Sequence, residues 1–145
     1  YGDKNDIGRG ASPGNRFEPG KKPMSTMSPT IIFDKDDDLF LITGSPGGSD
    51  IPAAILRVIT GVIDFELDIG EATMLPRIHK DWPYTGLEHE RALSRDTIRR
   101  LKSMGYNTEY ETTIGSTQSI HVVGGINNGF ADLRRPNAGV AVQTN

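Results

Sequence analysis

The distribution of apolar residues in the first half of the chain predicts two strands followed by a long helix. Residues 30–33 and 39–43 are rich in β-branched and aromatic side chains, which favour strands, and the acidic residues between them predict a hairpin turn. From residue 51 to residue 63, apolar side chains recur at the spacing of one helical face, with Ser49 or Asp50 as the N-cap. The hairpin is therefore expected to lead through a glycine-rich turn into an amphipathic helix.

The second half of the chain predicts two shorter helices and a series of strands. Asp68 and Glu71 have the spacing of a capping box, so a short helix should begin there and end at Pro76. Ser94 predicts the start of another helix and Gly105 its end. Strand patterns follow at 87–91, 107–113, 118–123, 130–133 and 139–143, with a turn over 124–129. Hairpin-connected strands with grouped helices predict an α+β fold, in which helices cover a largely antiparallel sheet.

The composition excludes several classes of protein. A chain of 145 residues with 35% hydrophobic residues is long enough for one globular domain with a core. Its net charge of −3, without a basic stripe, argues against nucleic acid as a partner. No apolar run approaches the roughly 20 residues that cross a bilayer, so no membrane segment is predicted. A sequence without cysteine has no disulfide, thiolate metal site or cysteine nucleophile of its own.

The glycines and prolines near the start of the chain predict a change in organisation. Residues 1–22 are expected to form an extended or partly disordered arm ahead of a domain over residues 23–145. The three histidines, His79, His89 and His121, lack the spacing of metal ligands on a helix. Neither a metal site nor a cofactor is predicted.

The segment Thr-Gly-Ser-Pro-Gly-Gly-Ser-Asp over residues 43–50 predicts an anion site. The N–H groups of Gly47 and Gly48 can turn toward a ligand, and the positive end of the helix dipole lies behind them. A Walker-type phosphate loop is not favoured, because Asp50 stands where that motif needs a basic residue. The two N–H groups suit an oxyanion hole, while the same glycines also suit a simple strand-to-helix turn. The local sequence leaves both interpretations open.

A second candidate binding segment lies just before the first predicted strand. Ser25, Thr26 and Ser28 form a hydroxyl cluster between two prolines, and adjacent hydroxyls can donate hydrogen bonds to a substrate carboxylate. Serine and threonine in such places also commonly close turns. These two functions remain alternatives at the level of the residues.

Taken together, several motifs resemble the small subunit of the γ-glutamyltransferases, also called γ-glutamyl transpeptidases or glutathione hydrolases. The first two are Pro-Met-Ser-Thr-Met-Ser-Pro-Thr over residues 23–30 and the glycine-rich segment over residues 43–49. Further family motifs follow in the family's order: Glu71-Ala72, Pro76-Arg77-Ile78-His79, Ser94-Arg95-Asp96, Gly115-Ser116-Thr117-Gln118-Ser119-Ile120 and Ala131-Asp132 with Arg135. The resemblance covers about residues 20 to 145, and the arm fits the variable stretch of the family.

The resemblance implies an N-terminal-nucleophile hydrolase, whose αββα sandwich this chain would form only in part. In that family a threonine released by self-cleavage attacks a γ-glutamyl amide, its α-amino group acts as the base, and the glutamyl group passes to water or an amine. Gly47 and Gly48 would stabilise the oxyanion, and Ser25 and Thr26 would hold the α-carboxylate of the glutamyl group. The family usually has serine at both of the last two positions, and Thr26 keeps the hydroxyl while adding a methyl group.

The resemblance also implies parts that this sequence lacks. The nucleophilic threonine should lie some tens of residues before Tyr1, so the chain is expected to be a processed product or to begin inside a longer protein. Its expected partners are a γ-glutamyl substrate such as glutathione, the rest of the small subunit and the large subunit of the same precursor. The family suggests a periplasmic or extracellular location. Alone, the chain should be inactive and should expose apolar surface that is normally covered.

Two alternatives remain open. Related cephalosporin acylases and poly-γ-glutamate depolymerases would share the fold and differ in substrate. A non-catalytic α+β module could instead use Gly47 and Gly48 to bind a phosphate or carboxylate ligand.

Overall fold

The computed structural model describes residues 18–22, 25–81 and 86–141. Most of the predicted N-terminal arm therefore lies outside the described residues, as do Pro23, Met24 and the last part of the strand predicted over residues 139–143. Residues 139–141 are described and do not form a strand.

Ten helices and strands make up the described part of the chain. In order they are β1 (Thr30–Phe33), β2 (Leu39–Gly44), α1 (Ile51–Ile63), α2 (Ile69–Met74), β3 (Ile78–His79), β4 (Gly86–His89), α3 (Arg95–Ser103), β5 (Asn107–Tyr110), β6 (Gln118–Val123) and β7 (Ile126–Ala131). The longest helix of the described residues, α1, has 13 residues. None of the helices in these ranges has the length and apolar character needed to cross a membrane.

The strands form two sheets. The larger sheet has the order β1-β2-β6-β7, and all of its neighbouring strands are antiparallel. The smaller sheet has the order β3-β4-β5, in which β4 and β5 are parallel because α3 connects them as a crossover. The predicted α+β class with a largely antiparallel sheet covered by helices is confirmed.

Most predicted elements are confirmed, and the differences have local causes. The two-residue turn at Gly124 and Gly125, with φ of 56° and 79°, lets β7 begin at Ile126 rather than at residue 130. The predicted strand over residues 107–113 ends at Tyr110, because only residues 107–110 pair with β4. The strand β3 has two residues, too few for a pattern along the sequence to show.

The core lies between the larger sheet and the first two helices. Leu41 from β2, Val58 and Val62 from α1, and Ile69 and Ala72 from α2 form one buried apolar cluster. Burial of a side chain as large as leucine, isoleucine or valine contributes about 1.5–3 kcal/mol to folding. This packing fixes the start of α1, and with it the glycine-rich turn, against the end of β2.

The other face of the larger sheet is apolar and exposed. Ile31 and Phe33 in β1 are 60% and 58% exposed, and Ile120 in β6 is 39% exposed. Ile42 lies between them in the register, paired with Ile31 on one side and Ile120 on the other. The sheet therefore carries one face covered by helices and one face on which apolar side chains meet solvent.

Candidate functional site

The glycine-rich segment forms a sharp turn that only glycine accommodates readily. Gly47 has φ of 143° and Gly48 has φ of 61°, both in the region that side chains with a Cβ disfavour. A single 3-10 turn over Gly48–Asp50 follows and leads directly into α1. We call residues 45–48 the glycine turn.

The carbonyl groups of Gly47 and Gly48 accept hydrogen bonds inside the protein, while their N–H groups have no acceptor among the described residues. The carbonyl of Gly47 accepts the N–H of Asp50 at 3.2 Å, and that of Gly48 accepts the N–H of Ile51. In the ranges that the structure describes, the N–H groups of Gly47 and Gly48 donate to no protein acceptor. Two donors at the amino end of a helix are thus available to an anion.

The hydroxyl segment, which we define as residues 25–28, lies against this turn, although Thr26 and Gly48 are 22 residues apart in sequence. Thr26 Oγ1 donates a hydrogen bond of 2.7 Å to the carbonyl of Gly48. Ser25 is exposed, and its Oγ accepts the N–H of Met27 at 3.2 Å. Three of the four predicted site residues, Thr26, Gly47 and Gly48, are therefore brought together, and Ser25 precedes them directly in the chain.

A second loop supports the glycine turn from the side of the core. Gly115 has φ of 67°, and a Cβ there would lie 2.6 Å from the Cβ of Ala54 in α1 and 2.8 Å from Ser45 Oγ. A Cβ on Gly47 would lie 3.3 Å from the Cα of Gly115. Ser116 donates its N–H to Ser45 Oγ at 2.9 Å. We call residues 114–117 the supporting loop.

The supporting loop is held by a buried ionic cluster of two arginines and two carboxylates, Arg77, Glu90, Asp132 and Arg134. Arg77 lies 2.7 Å from Asp132, and neither side chain is exposed to solvent. Arg77 also donates to the carbonyl of Ile114 at 2.9 Å, while Glu90 accepts the N–H of Ile114 at 3.1 Å. The charged side chains of Arg77 and Glu90 thus hold the supporting loop, which in turn packs against the glycine turn.

Arg134 completes the cluster by contacting both carboxylates. Its guanidinium donates to both oxygens of Glu90 at 2.6 Å and to Asp132 at 3.1 Å. Burial acts to raise the pKa of Glu90, but hydrogen bonds from Arg134 and from the N–H groups of Ile114 and Arg77 leave that pKa below its usual value. Burial also acts to raise the pKa of Asp132. The charge of Arg77 and hydrogen bonds from nearby backbone N–H groups outweigh this effect, so the pKa of Asp132 lies below its usual value.

These shifts predict how stability depends on pH. A carboxyl group whose pKa is lower in the folded than in the unfolded state stabilises the fold above its unfolded pKa, about 4.3 for glutamate, and this contribution is lost as the pH falls through the folded pKa. The free energy of unfolding should therefore decrease steeply below about pH 4.5. Thermal unfolding followed by circular dichroism should show a shallower acid dependence in Glu90→Gln. An unchanged slope in that variant would contradict a contribution from Glu90.

The histidines contribute one further cluster. His79 Nε2 lies 2.9 Å from Asp81 and 3.6 Å from Asp50, and ligand atoms of Asp50, His79 and Glu88 lie within 4.8 Å of one another. These three residue types can bind divalent cations, but here the ring nitrogen of His79 has a carboxylate partner. His121 lies in β6, where its Nε2 is buried without a hydrogen-bond partner among the described residues, and burial lowers its pKa.

Comparison with known proteins decides the family. The model of the γ-glutamyltranspeptidase family matches residues 1–142. The chain belongs to the γ-glutamyltranspeptidase family. The family assignment made from the motifs is confirmed.

Individual members of the γ-glutamyltranspeptidase family agree with this assignment. The glutathione hydrolase proenzyme of Escherichia coli K12 is 43% identical over 108 residues, which are 74% of this chain and 18% of that protein. The corresponding proenzyme of Bacillus subtilis 168 is 34% identical over 131 residues, or 88% of this chain and 22% of that protein. The chain thus spans a minor part of the length of the curated relatives that it matches.

The fold of the γ-glutamyltranspeptidases is also present. A crystal structure of a Helicobacter pylori γ-glutamyltranspeptidase mutant superposes with a TM-score of 0.80 at 36% identity, over 86% of this chain and 69% of that one. The predicted N-terminal-nucleophile hydrolase type of fold is therefore confirmed.

Reasoning from the sequence missed the residues that support the glycine turn. Ser45 was part of the recognised motif, yet nothing in its neighbourhood along the chain indicates its contact with Ser116, 71 residues away. The cluster residues Glu90 and Arg134 lack a motif of their own. A local signal did exist for Gly115, because an isolated glycine next to strand patterns is typical of a turn or a close backbone approach.

Proposed function

We propose that this chain is the carboxyl-terminal part of the small subunit of a γ-glutamyltransferase or glutathione hydrolase. The complete protein would cleave γ-glutamyl amides through a threonine acyl-enzyme and transfer the glutamyl group to water or to an amine. In this proposal the described residues stabilise the oxyanion and bind the glutamyl carboxylate, and the nucleophile comes from a part of the protein outside this sequence.

One observation carries the proposal: two adjacent glycine N–H groups have no protein acceptor among the described residues and lie at the amino end of α1. In acyl transfer, negative charge develops on the carbonyl oxygen of the substrate, and fixed donors stabilise that charge without reorganising. Gly47 and Gly48 supply donors whose backbone conformation is already set by positive φ angles. Donors held in place before the substrate binds are what an oxyanion hole uses, and this supports the proposal.

The hydroxyl segment supports a carboxylate site next to this turn. Ser25 is exposed, so its O–H can donate to a ligand. The single proton of the Thr26 hydroxyl is directed at the carbonyl of Gly48, which also accepts the N–H of Ile51. When a carboxylate binds, the Thr26 proton can turn to the ligand while Gly48 keeps its backbone partner. Thr26 would then connect carboxylate binding to the oxyanion site.

The uncovered face of the larger sheet supports the proposed partners. Ile31, Phe33 and Ile120 form an exposed apolar surface, and a contiguous surface of this kind usually marks an interface. In an αββα sandwich, a second sheet packs on this face. We propose that the second sheet comes from the rest of the small subunit and the large subunit of the precursor, in a periplasmic or extracellular enzyme.

The test compares the complete gene product that contains this chain with the isolated chain. The complete protein should release p-nitroaniline from γ-glutamyl-p-nitroanilide, and addition of an amine acceptor such as glycylglycine should accelerate release. The isolated chain should release none. α-Glutamyl-p-nitroanilide serves as the control substrate, since its scissile bond lies at a different distance from the carboxylate and amino groups.

Two results would contradict the proposal. Product release by the isolated chain would show that the nucleophile lies within these residues. An inactive complete protein that binds phosphate at the glycine turn, with binding lost in a Gly48→Val variant, would favour the anion-binding module instead.

A further inference from the structure

The direction of each N–H in the glycine turn is determined by the carbonyl that shares its peptide unit. A trans peptide is planar, and its C=O and N–H point in opposite directions. A hydrogen bond that holds the carbonyl of one residue therefore also aims the N–H of the next. For Gly47 the relevant carbonyl belongs to Pro46, and for Gly48 it belongs to Gly47.

The two peptide units are held in different ways. The carbonyl of Gly47 accepts the N–H of Asp50 within the 3-10 turn, so the start of the helix fixes the direction of the Gly48 N–H. The carbonyl of Pro46 lies outside that turn. It accepts a hydrogen bond of 2.7 Å from Ser45 Oγ. Because glycine tolerates both signs of φ, the Pro46–Gly47 unit can rotate at low cost unless this bond holds it.

The hydroxyl of Ser45 is itself oriented by the supporting loop. Its oxygen accepts the N–H of Ser116 at 2.9 Å, so its proton is free to donate elsewhere, and the Pro46 carbonyl takes it. The backbone of Gly115 is too close to Ser45 and Ala54 to carry a side chain. Ile114 is anchored at both its N–H and its carbonyl by Glu90 and Arg77.

We propose that Ser45 is a positioning residue of the oxyanion hole, because its hydroxyl connects the supporting loop to the Pro46 carbonyl and so aims the N–H of Gly47. This inference rests on the proposed function and adds a residue that does not itself touch the substrate. Without the Ser45 hydroxyl, the Pro46–Gly47 unit loses its restraint and the Gly47 N–H is no longer held in one direction. Gly48, fixed by the helix, keeps its N–H.

The test uses the complete gene product with three substitutions, assayed with γ-glutamyl-p-nitroanilide. Ser45→Ala should lower kcat about 10- to 100-fold, the scale for partial loss of one oxyanion donor, with KM within threefold of the unsubstituted protein. Ser45→Thr keeps the hydroxyl and should retain kcat within about threefold. Ser94→Ala is the matched control. Ser94 lies at the start of α3, and its Oγ also accepts a backbone N–H, that of Thr97, at 3.1 Å. This substitution should leave kcat unchanged.

The outcomes separate this inference from the proposed function. If the unsubstituted protein is active and Ser45→Ala keeps kcat within twofold, the inference is wrong and the proposed function stands. If the unsubstituted protein does not cleave the γ-glutamyl bond, the proposed function fails. Crystal structures of the protein and of Ser45→Ala then test the inference, because they show the orientation of the Pro46–Gly47 peptide unit. A Pro46 carbonyl that turns away in the variant supports the positioning contact, and one that stays in place overturns it.

Discussion

Replacement of Gly48 by alanine is expected to lower kcat of the complete gene product about 100- to 1,000-fold, the effect of losing one oxyanion donor, or roughly 2.7–4 kcal/mol of transition-state stabilisation. Gly48 has φ of 61°, and an added Cβ would meet no protein atom within 4 Å. Alanine disfavours that φ and therefore shifts the backbone that carries the N–H. Its methyl group would also extend into open space beside the Gly48 N–H. The measurement is kcat and KM with γ-glutamyl-p-nitroanilide.

Gly124 offers a matched control for this prediction. It lies in the turn between β6 and β7 with φ of 56°, and an added Cβ there also meets no atom within 4 Å. Gly124→Ala therefore carries the same left-handed strain, about 1–2 kcal/mol, without approaching the glycine turn. Only Gly48→Ala should lose kcat, while both variants should lose similar thermal stability. Equal kcat values in the two variants would argue against Gly48 as an oxyanion donor.

The largest expected loss of stability comes from Arg77→Ala, at about 3–5 kcal/mol, the usual cost of breaking a buried ion pair. The side chains of Arg77 and Asp132 have no exposed surface, so the substitution leaves a buried carboxylate without its main partner. It also removes the hydrogen bonds to the carbonyls of Thr73 and Ile114. The midpoint of urea unfolding, followed by circular dichroism, should fall accordingly.

Arg99→Ala is the control for this loss. Arg99 forms an ion pair with Asp96 on α3, but its side chain is 78% exposed, and exposed pairs of this kind contribute little to stability. The unfolding midpoint of this variant should stay close to that of the unsubstituted chain. The prediction for Arg77 is wrong if the two substitutions shift the midpoint by the same amount.

Loss of the Arg77 contacts should also change the position of the glycine turn. Arg77 and Glu90 hold Ile114 by its carbonyl and its N–H, and the next two residues of the supporting loop contact Gly47 and Ser45. Stability and catalysis are therefore expected to fall together in Arg77→Ala, whereas Gly48→Ala should lose kcat that Gly124→Ala keeps at a similar loss of stability. This contrast distinguishes a residue that supports the site from one that forms it.

The elements with local causes follow from the order of the residues alone. Helical spacing of apolar residues predicted α1, the capping box of Asp68 and Glu71 predicted α2, and both of its reciprocal hydrogen bonds are present. The paired glycines predicted a turn with positive φ, because few other residues adopt it. The order of the motifs also identified the family. For α1, α2 and the turn, the relevant interactions lie within a few residues of the chain, and the family follows from the order of short motifs along it.

Which distant groups come into contact depends on how the folded chain packs in three dimensions. Thr26 donates to Gly48 across 22 residues, Ser116 to Ser45 across 71, and Arg77 pairs with Asp132 across 55. Hydrogen bonds and ion pairs act over a few ångströms, and a linear pattern does not report which segments come that close. The glycines made the turn possible, but the packing of the core against α1 and the buried charges behind the supporting loop set the direction in which its N–H groups point.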